Sequence, residues 1–259
     1  MHEFVGFNFQ ILPAENAFLS AVSVAALYGK GIFTTVAVHR SIPFLWEKHW
    51  ARLHSNARKI GIDISKFSQE ETRNALLRII EKNNLADGRA RITFFDASPS
   101  VIWQASQIKQ KNKINLLIQT ADLQPAPMIL RLTVSPFRVN STSPLAGVKS
   151  CNYQENLLAL EDAKAKGYGE AVRLNEKNEI VSACLANIFW EKSGELFTPA
   201  LETGCLEGTT RSFVLENFAV EERTASLPEL MKASEIFLTS AGIGITSGVL
   251  EITNENNKN

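Results

Sequence analysis

A polar segment with two prolines, residues 120–127, interrupts the apolar pattern of the sequence near its middle. Proline fixes φ and has no backbone N–H, so such a stretch favours neither a helix nor a central strand. A chain of 259 residues can bury a large core, and this length fits either one large domain or two modest ones. We therefore predict an N-terminal α/β domain (1–119), a linker (120–127) and a C-terminal domain (128–259).

Helices and strands are predicted on both sides of this segment. Ser68 and Glu71 form a Ser-x-x-Glu capping signature in front of an apolar helical pattern. The predicted helices span residues 47–59, 68–83, 152–166, 210–218 and 227–233. The strands, predicted from β-branched and aromatic content, span residues 91–95, 114–118, 129–134, 171–174, 180–184, 188–191 and 235–239. This mixture predicts the α+β class.

Composition argues against several classes of function. Lys plus Arg and Asp plus Glu both number 27, so the chain lacks the basic excess of nucleic-acid-binding proteins. The three cysteines show neither paired nor zinc-ligand spacing, which favours a reducing compartment and predicts no metal site. No secretory signal and no apolar run of roughly 18–20 residues is visible. We expect a cytoplasmic protein that binds neither nucleic acid nor membranes.

Three motifs in the second half indicate a phosphate-bearing cofactor. They are Val-Lys-Ser-Cys-Asn-Tyr at 148–153, Ala-Asn-Ile-Phe at 186–189 and Leu-Glu-Gly-Thr-Thr-Arg at 206–211. A lysine that forms a Schiff base needs a positioned amine, and a Gly-Thr-Thr turn at a helix start offers N–H groups and hydroxyls to phosphate. The combination points to pyridoxal 5′-phosphate as the cofactor.

The order of these motifs resembles that of the class IV aminotransferase family, the fold-type IV pyridoxal-phosphate enzymes. Tyr-Gly-Lys-Gly-Ile-Phe-Thr-Thr at 28–35 and Lys-His-Trp-Ala-Arg-Leu at 48–53 are similar to the family's Gly-Asp-Gly-x-Phe and His-x-x-Arg-Leu elements. Leu-Phe-Thr-Pro at 196–199 completes the match, which covers nearly the whole chain. The resemblance implies a two-lobed α+β fold, with the cofactor cleft between a smaller N-terminal and a larger C-terminal domain. It also implies a homodimer that acts on a small-molecule amine.

The resemblance places the Schiff-base lysine at Lys149. A buried site lined with cations lowers the pKa of a lysine, so this amine could also act as a base. At the phosphate, the resemblance implies Arg52 and the turn formed by Gly208, Thr209 and Thr210. The alternatives are surface positions for Lys149 and Arg52 and a simple helix cap for the turn, although a cap and a phosphate cradle are compatible.

Further cofactor contacts are implied near the same motifs. Tyr153 resembles the tyrosine that binds the cofactor's phenolic oxygen in branched-chain aminotransferases, with a core tyrosine as the alternative. Asn187 belongs to the Asn-Ile-Phe motif and is included in the cofactor site. Family members often carry a threonine where Ala241 stands here, which leaves Thr239 or Ser240 to contact the phosphate.

Three residues of the N-terminal half are substrate candidates by resemblance. Tyr28 lies in the element that borders the substrate pocket in relatives, and Thr35 lies in the Phe-Thr-Thr element that follows it. Arg91 occupies a strand where relatives often have a basic residue near the site, with a sheet-edge charge as the alternative. Lys30, in place of the usual aspartate, and Asp96, in place of a frequent glycine, depart from the family pattern.

Ser182 is the departure with the largest consequence. Five residues before Asn187, the family has a glutamate that pairs with the pyridine nitrogen and keeps it protonated. A serine hydroxyl can hydrogen-bond to that nitrogen but cannot form an ion pair, so the ring withdraws electrons less strongly. Glu179 is no substitute, because strand alternation directs it away from the face of Ser182.

Three functions remain open from the sequence. The Phe-Thr-Thr element, the Asn-Ile-Phe-Trp run and the short length resemble the lyase branch of the family, which converts 4-amino-4-deoxychorismate to 4-aminobenzoate and pyruvate in folate biosynthesis. Elimination that forms an aromatic ring depends less on a strong electron sink than transamination does, which fits Ser182. The alternatives are a branched-chain or D-amino-acid aminotransferase and a cofactor-binding homologue with reduced or no turnover.

Overall fold

The computed structural model describes residues 1–100, 113–124 and 127–252, and it divides into two compact units. One unit comprises Met1–Gln124 with Val148–Asn152, and the other comprises Pro125–Gly147 with Tyr153–Asn259. The predicted linker lies at this division, but its first three residues continue a strand. Its residues 125 and 126 lie outside the described residues, as do residues 253–259 of the predicted C-terminal domain. The segment with Lys149 groups with the first unit, whereas the prediction placed it in the C-terminal domain.

The first unit is a six-stranded antiparallel sheet with helices packed on it. Its strands are β1 (Phe4–Phe7), β2 (Gln10–Pro13), β3 (Gly31–His39), β4 (Ile42–Pro43), β5 (Gly88–Asp96) and β6 (Ile114–Asp122), in the order β2-β1-β6-β5-β3-β4. Its helices are α1 (Val24–Tyr28), α2 (Trp46–Lys59) and α3 (Gln69–Lys82). The apolar faces of α2 and α3 join the sheet in one core around Leu53, Leu76, Ile92 and Phe94.

Backbone pairing explains why Val148–Asn152 groups with the first unit. Ser150 forms an isolated bridge with Ile32 of β3. The N–H of Phe33 donates to the carbonyl of Lys149 at 2.9 Å, and the N–H of Cys151 donates to the carbonyl of Gly31 at 2.8 Å. These bonds extend the sheet along β3 and fix the backbone of Lys149.

The second unit contains an eight-stranded mixed sheet. Its strands are β7 (Ile129–Val134), β8 (Glu170–Leu174), β9 (Ile180–Ala183), β10 (Asn187–Lys192), β11 (Glu195–Pro199), β12 (Val220–Arg223), β13 (Glu235–Ser240) and β14 (Gly244–Leu250), in the order β12-β11-β10-β13-β14-β7-β8-β9. Its helices are α4 (Gln154–Ala165), α5 (Thr209–Asn217) and α6 (Leu227–Leu230). On β8, Val172 belongs to the main core, whereas Ala171 packs with α4 in a smaller cluster.

Most predicted elements are present, and the α+β class is confirmed. The predicted capping box of Ser68 and Glu71 forms in full at the start of α3. The helix predicted over 227–233 is shorter, because α6 ends at Leu230. Strand β14 was not predicted, because its glycines and small polar residues lack a strand pattern and pairing with β13 and β7 specifies it. Within the described residues, no helix combines the length and the apolar character that a membrane crossing requires.

Candidate active site

The backbone of Lys149 is held from two sides within the first unit. Its N–H donates to Oδ1 of Asn56, a buried residue of α2, at 2.7 Å. Its carbonyl accepts the hydrogen bond from Phe33 of β3 described above. Helix α2 and strand β3 therefore fix the point from which the lysine side chain leaves the backbone.

The amine of Lys149 lies among cations and an aromatic ring. Its Nζ is 4.5 Å from the centre of the Phe33 ring. Burial, together with the charges of Arg52 and Arg91, lowers the pKa of Lys149 to about 7. A large fraction of this amine is therefore neutral near pH 7, the form that attacks an aldehyde or accepts a proton.

A threonine hydroxyl joins Arg52 to a buried histidine. Nη2 of Arg52 donates to Oγ1 of Thr34 at 2.6 Å, and the same Oγ1 lies 2.6 Å from Nδ1 of His49. Burial, together with the charges of Arg52 and Lys149, holds the pKa of His49 well below its usual value, so the ring is neutral. The hydroxyl of Thr34 accepts from Arg52 and can either donate to Nδ1 of His49 or accept a second hydrogen bond from it, depending on the tautomer of the ring. The network fixes Arg52 in one orientation on α2.

The three substrate candidates have different environments in the first unit. The guanidinium carbon of Arg91 lies 3.7 Å from the centre of the Phe33 ring, the same ring that Lys149 approaches. Thr35 stands opposite Arg91 in the β3–β5 pairing. Tyr28, at the end of α1, is 58% exposed. The fold thus brings Arg91, but not Tyr28, onto the aromatic ring beside Lys149.

The two lesser departures from the family pattern compensate for each other. Nζ of Lys30 lies 3.1 Å from Oδ2 of Asp96, whose side chain is buried. The backbone N–H of Asp96 also donates to the carbonyl of Lys30 at 3.0 Å. A buried carboxylate needs such a partner, so the two changes are coupled through one ion pair.

In the second unit, Asn187 and Gly208 are in close contact. Nδ2 of Asn187 donates to the carbonyl of Leu206 at 2.7 Å. A Cβ atom added to Gly208 would clash with Oδ1 of Asn187, so a larger residue at this position requires the asparagine side chain to move. Gly208 is the N-cap of α5, followed by buried Thr209 and half-buried Thr210. The Gly-Thr-Thr turn is thus held against Asn187 at the N-terminus of a helix, where anions are favoured.

Among residues 239–241, Thr239 has a buried hydroxyl that makes no hydrogen bond with a described residue. Thr239 stands directly opposite Asn187 in the β10–β13 pairing. Oγ of Ser240 accepts from the N–H groups of Gly242 and Ile243, and Ala241 has no polar side chain. Since buried polar atoms are normally paired, Thr239 has the geometry of a ligand contact.

Ser182 faces a buried arginine that the sequence analysis did not select. The two stand opposite each other in the β8–β9 pairing, and Arg173 is 3% exposed. The sequence signal that could have identified Arg173 is its charge within the otherwise apolar strand Ala171–Leu174. Oε2 of Glu179 accepts a hydrogen bond from Nδ2 of Asn175 at 2.7 Å.

These features fit the chemistry of pyridoxal phosphate. Lys149 supplies an amine of lowered pKa for an aldehyde, and Arg52 supplies an oriented guanidinium for an anion. In the other unit, the Gly-Thr-Thr turn and the Thr239 hydroxyl supply hydrogen-bond donors. Tyr153 is the N-cap residue of α4 and is half-buried.

A family model described as amino-transferase class IV matches residues 31–250. The chain belongs to this family. Aminodeoxychorismate lyase of Bacillus subtilis is 26% identical over 245 residues, 92% of this chain and 83% of that protein. A putative branched-chain-amino-acid aminotransferase of Methanocaldococcus jannaschii is 29% identical over 243 residues, 92% of this chain and 84% of that protein.

The same fold occurs in the branched-chain aminotransferase of Thermoproteus uzoniensis, solved with norvaline. The superposition has a TM-score of 0.88 at 25% identity and covers 97% of this chain and 88% of that one. The family, the fold-type IV architecture and pyridoxal phosphate as the cofactor are therefore confirmed as predicted. The chain is a class IV pyridoxal-phosphate enzyme, and its relatives include both lyases and aminotransferases.

Replacing Arg52 with methionine is expected to raise the pKa of Lys149. The change removes a nearby cation, so we expect a rise of about 0.5–1 unit, while burial keeps the value below that of an exposed lysine. The measurement is the pH dependence of labelling at Lys149 in the cofactor-free protein, quantified by mass spectrometry. Arg58→Met, an exposed position on the same helix, is the matched control. Equal pKa values in the two variants would contradict the electrostatic role of Arg52.

Proposed function

We propose that this class IV enzyme is a lyase that converts 4-amino-4-deoxychorismate to 4-aminobenzoate and pyruvate. The observation that carries the proposal is Ser182, an uncharged residue opposite buried Arg173 where the family has a glutamate. When bound, pyridoxal phosphate supplies an aldehyde that condenses with amines and a ring that withdraws electrons. Because Ser182 leaves the cofactor ring less electron-withdrawing, a reaction that is driven by formation of an aromatic product is favoured.

Lys149 has the properties of the acid–base residue for such an elimination. As a neutral amine, it takes the proton from the substrate ring carbon that bears the amino group. The bond between the ring and the enolpyruvyl oxygen then breaks, the ring becomes aromatic, and the ammonium of Lys149 returns a proton to the leaving enolpyruvate. Enolpyruvate becomes pyruvate by tautomerisation. A group with a pKa of about 7 can serve in both directions near neutral pH.

The remaining residues bind and orient in this proposal. Arg52, Gly208, Thr209, Thr210 and Thr239 hold the cofactor phosphate through charge, N–H groups and hydroxyls.

Ser240, Ala241 and Asn187 are proposed as further cofactor contacts, and Tyr153 would donate a hydrogen bond to the phenolic oxygen of the cofactor. Arg91 suits a carboxylate of the substrate, with Thr35 and Tyr28 as further substrate contacts. We also propose, from the family resemblance, a homodimer in the cytoplasm and a role in folate biosynthesis.

The second candidate is an aminotransferase for branched-chain or D-amino acids. Its support is the likeness to the M. jannaschii and T. uzoniensis proteins, whose names describe branched-chain aminotransferases. In this case Ser182 lowers the rate of proton transfer without abolishing it. A third candidate, a cofactor-binding homologue without turnover, requires that Lys149 retains the cofactor while no amine is converted.

A direct assay separates the three candidates. We expect the purified protein with pyridoxal phosphate to release 4-aminobenzoate, detected by fluorescence, and equimolar pyruvate from 4-amino-4-deoxychorismate. Transfer of the amino group from L-leucine or D-alanine to 2-oxoglutarate, without 4-aminobenzoate, would assign the aminotransferase instead. A bound-cofactor absorption spectrum that no amine changes would assign the homologue without turnover.

A further inference from the structure

Arg173 is a buried cation with little compensation. It lies on β8 and is 3% exposed, yet its Nε and Nη2 make no hydrogen bond with any described residue. The carboxylate beside it is Glu155 of α4, whose Oε2 is 3.6 Å from Nη2 and whose side chain is 76% exposed. Burying a guanidinium costs free energy unless its donors are satisfied, so this position indicates an acceptor that the chain itself does not provide.

The direction of the Arg173 side chain follows from the strand pattern. Val172 and Leu174 point into the main core of the second unit, and Ala171 packs with α4 on the other face. Successive side chains on a strand point to opposite faces, so Arg173 lies on the face opposite that of Val172 and Leu174. This is the face that carries Ala171 and packs against α4, and the ion pair between Arg173 and Glu155 of α4 is consistent with it. Ser182 is directly opposite in the antiparallel pair and shares that face.

We propose that Arg173, together with Ser182, faces the pyridine nitrogen of the cofactor and keeps that nitrogen unprotonated. This inference rests on the proposed cofactor contact of Ser182. A guanidinium can only donate hydrogen bonds, and an unprotonated pyridine nitrogen can only accept them, so the two are complementary. A protonated nitrogen would place a second positive charge and a second donor beside Arg173, in a region with low solvent access.

Several ionisable groups lie near Arg173. Glu170 on β8 is buried, burial raises its pKa, and its carboxyl group accepts hydrogen bonds from the N–H groups of Ala171, Cys184 and Leu185. Glu155 on α4 is mostly exposed and therefore screened by water. Cys184, after β9, is a neutral thiol, because burial raises its pKa to about 12. On the neighbouring strand β7, Arg131 is exposed and paired with Glu251. In this proposal, the positive charge of Arg173 lies near the pyridine nitrogen, where other family members have a negative carboxylate. The uncharged serine at position 182 is compatible with this arrangement.

The test is nitrogen-15 NMR of the holoenzyme, prepared with pyridoxal phosphate labelled at the ring nitrogen and titrated with acid. In the wild type, we expect the unprotonated chemical shift at neutral pH. In Arg173→Met and Arg173→Gln, we expect the nitrogen to take up a proton at a pH at least about one unit higher than in the wild type. Arg223→Met is the matched control, because it removes a positive charge from β12, at the opposite edge of the same sheet.

Two results would overturn the proposal. One is a protonated nitrogen in the wild type at neutral pH, which is measured without any variant and so does not depend on whether the Arg173 variants fold. The other is equal titration of the wild type, the Arg173 variants and Arg223→Met. If the titrations are equal and the Arg173 variants also have a raised KM for the amine substrate, the guanidinium of Arg173 binds a substrate carboxylate instead. Visible absorption checks cofactor binding in each sample, so loss of the lyase reaction alone leaves this test intact.

Discussion

Replacement of Lys149 by methionine is expected to lower 4-aminobenzoate formation by at least about 10³-fold. The change keeps the aliphatic volume but removes the amine that would take the substrate proton and return it to the leaving group, and proton transfer by a positioned residue accounts for about 10²–10⁴-fold in rate. The measurement is 4-aminobenzoate release at saturating pyridoxal phosphate. Lys166→Met, an exposed position paired with Asp162 on the surface, should retain full activity.

The same variant should alter the pH dependence of stability in the cofactor-free protein. Folding lowers the pKa of Lys149 from 10.5 to about 7, so between these values the unfolded chain binds one more proton than the folded chain. The wild type therefore gains stability as the pH rises through this window, and below pH 7 it bears the full cost of burying a charged amine. Lys149→Met should lose this dependence and be at least as stable as the wild type at neutral pH.

Thermal unfolding of both apo-proteins between pH 6 and 10 checks this expectation. If Lys149→Met is less stable than the wild type at every pH, the lysine is a solvated charge rather than a desolvated amine. If the variant is stable but still forms 4-aminobenzoate, Lys149 is not the acid–base residue. Stability and activity thus test two different properties of one side chain.

The candidate catalytic and binding residues could be predicted from the sequence where they lie within short motifs. Lys149 and Arg52 were identified because their motifs resemble those of the class IV family, and the structure gives the amine a lowered pKa and the guanidinium a fixed orientation. His49 lies in the same His-x-x-Arg-Leu element as Arg52, but its bond to Thr34 joins a helix to a strand that was not predicted. Contacts of this kind depend on tertiary packing, which a local pattern does not specify.

Other features required the fold itself. The grouping of Val148–Asn152 with the first unit depends on backbone bonds to β3, more than 110 residues earlier in the chain. The burial of Arg173 follows from α4 covering the second face of β8, so the strand lacks the alternation that would mark an outward position. Lys30 and Asp96 looked like separate departures, and only their contact revealed one compensated pair.

Replacement of Gly208 by alanine is expected to destabilise the second unit by about 2–5 kcal/mol and to weaken cofactor binding at least about tenfold. The new methyl group would clash with Oδ1 of buried Asn187, so the asparagine must rotate away. Rotation breaks its hydrogen bond to the carbonyl of Leu206, and a lost buried hydrogen bond costs about 1–3 kcal/mol, with a similar cost for overpacking. Denaturant unfolding and titration with pyridoxal phosphate measure the two effects.

The contact between Gly208 and Asn187, rather than glycine flexibility, should account for this cost. Gly194→Ala is the control, because Gly194 has a positive φ of 83° and no atom within 4 Å of an added Cβ, so only backbone strain of about 1–2 kcal/mol is expected. The double variant Asn187→Ala/Gly208→Ala removes the clashing oxygen, so its destabilisation should be smaller than the sum of the two single changes. Strict additivity, or a Gly208→Ala effect no larger than that of Gly194→Ala, would show that Asn187 does not dictate glycine at position 208. Any loss of cofactor affinity in Gly208→Ala would then need another cause.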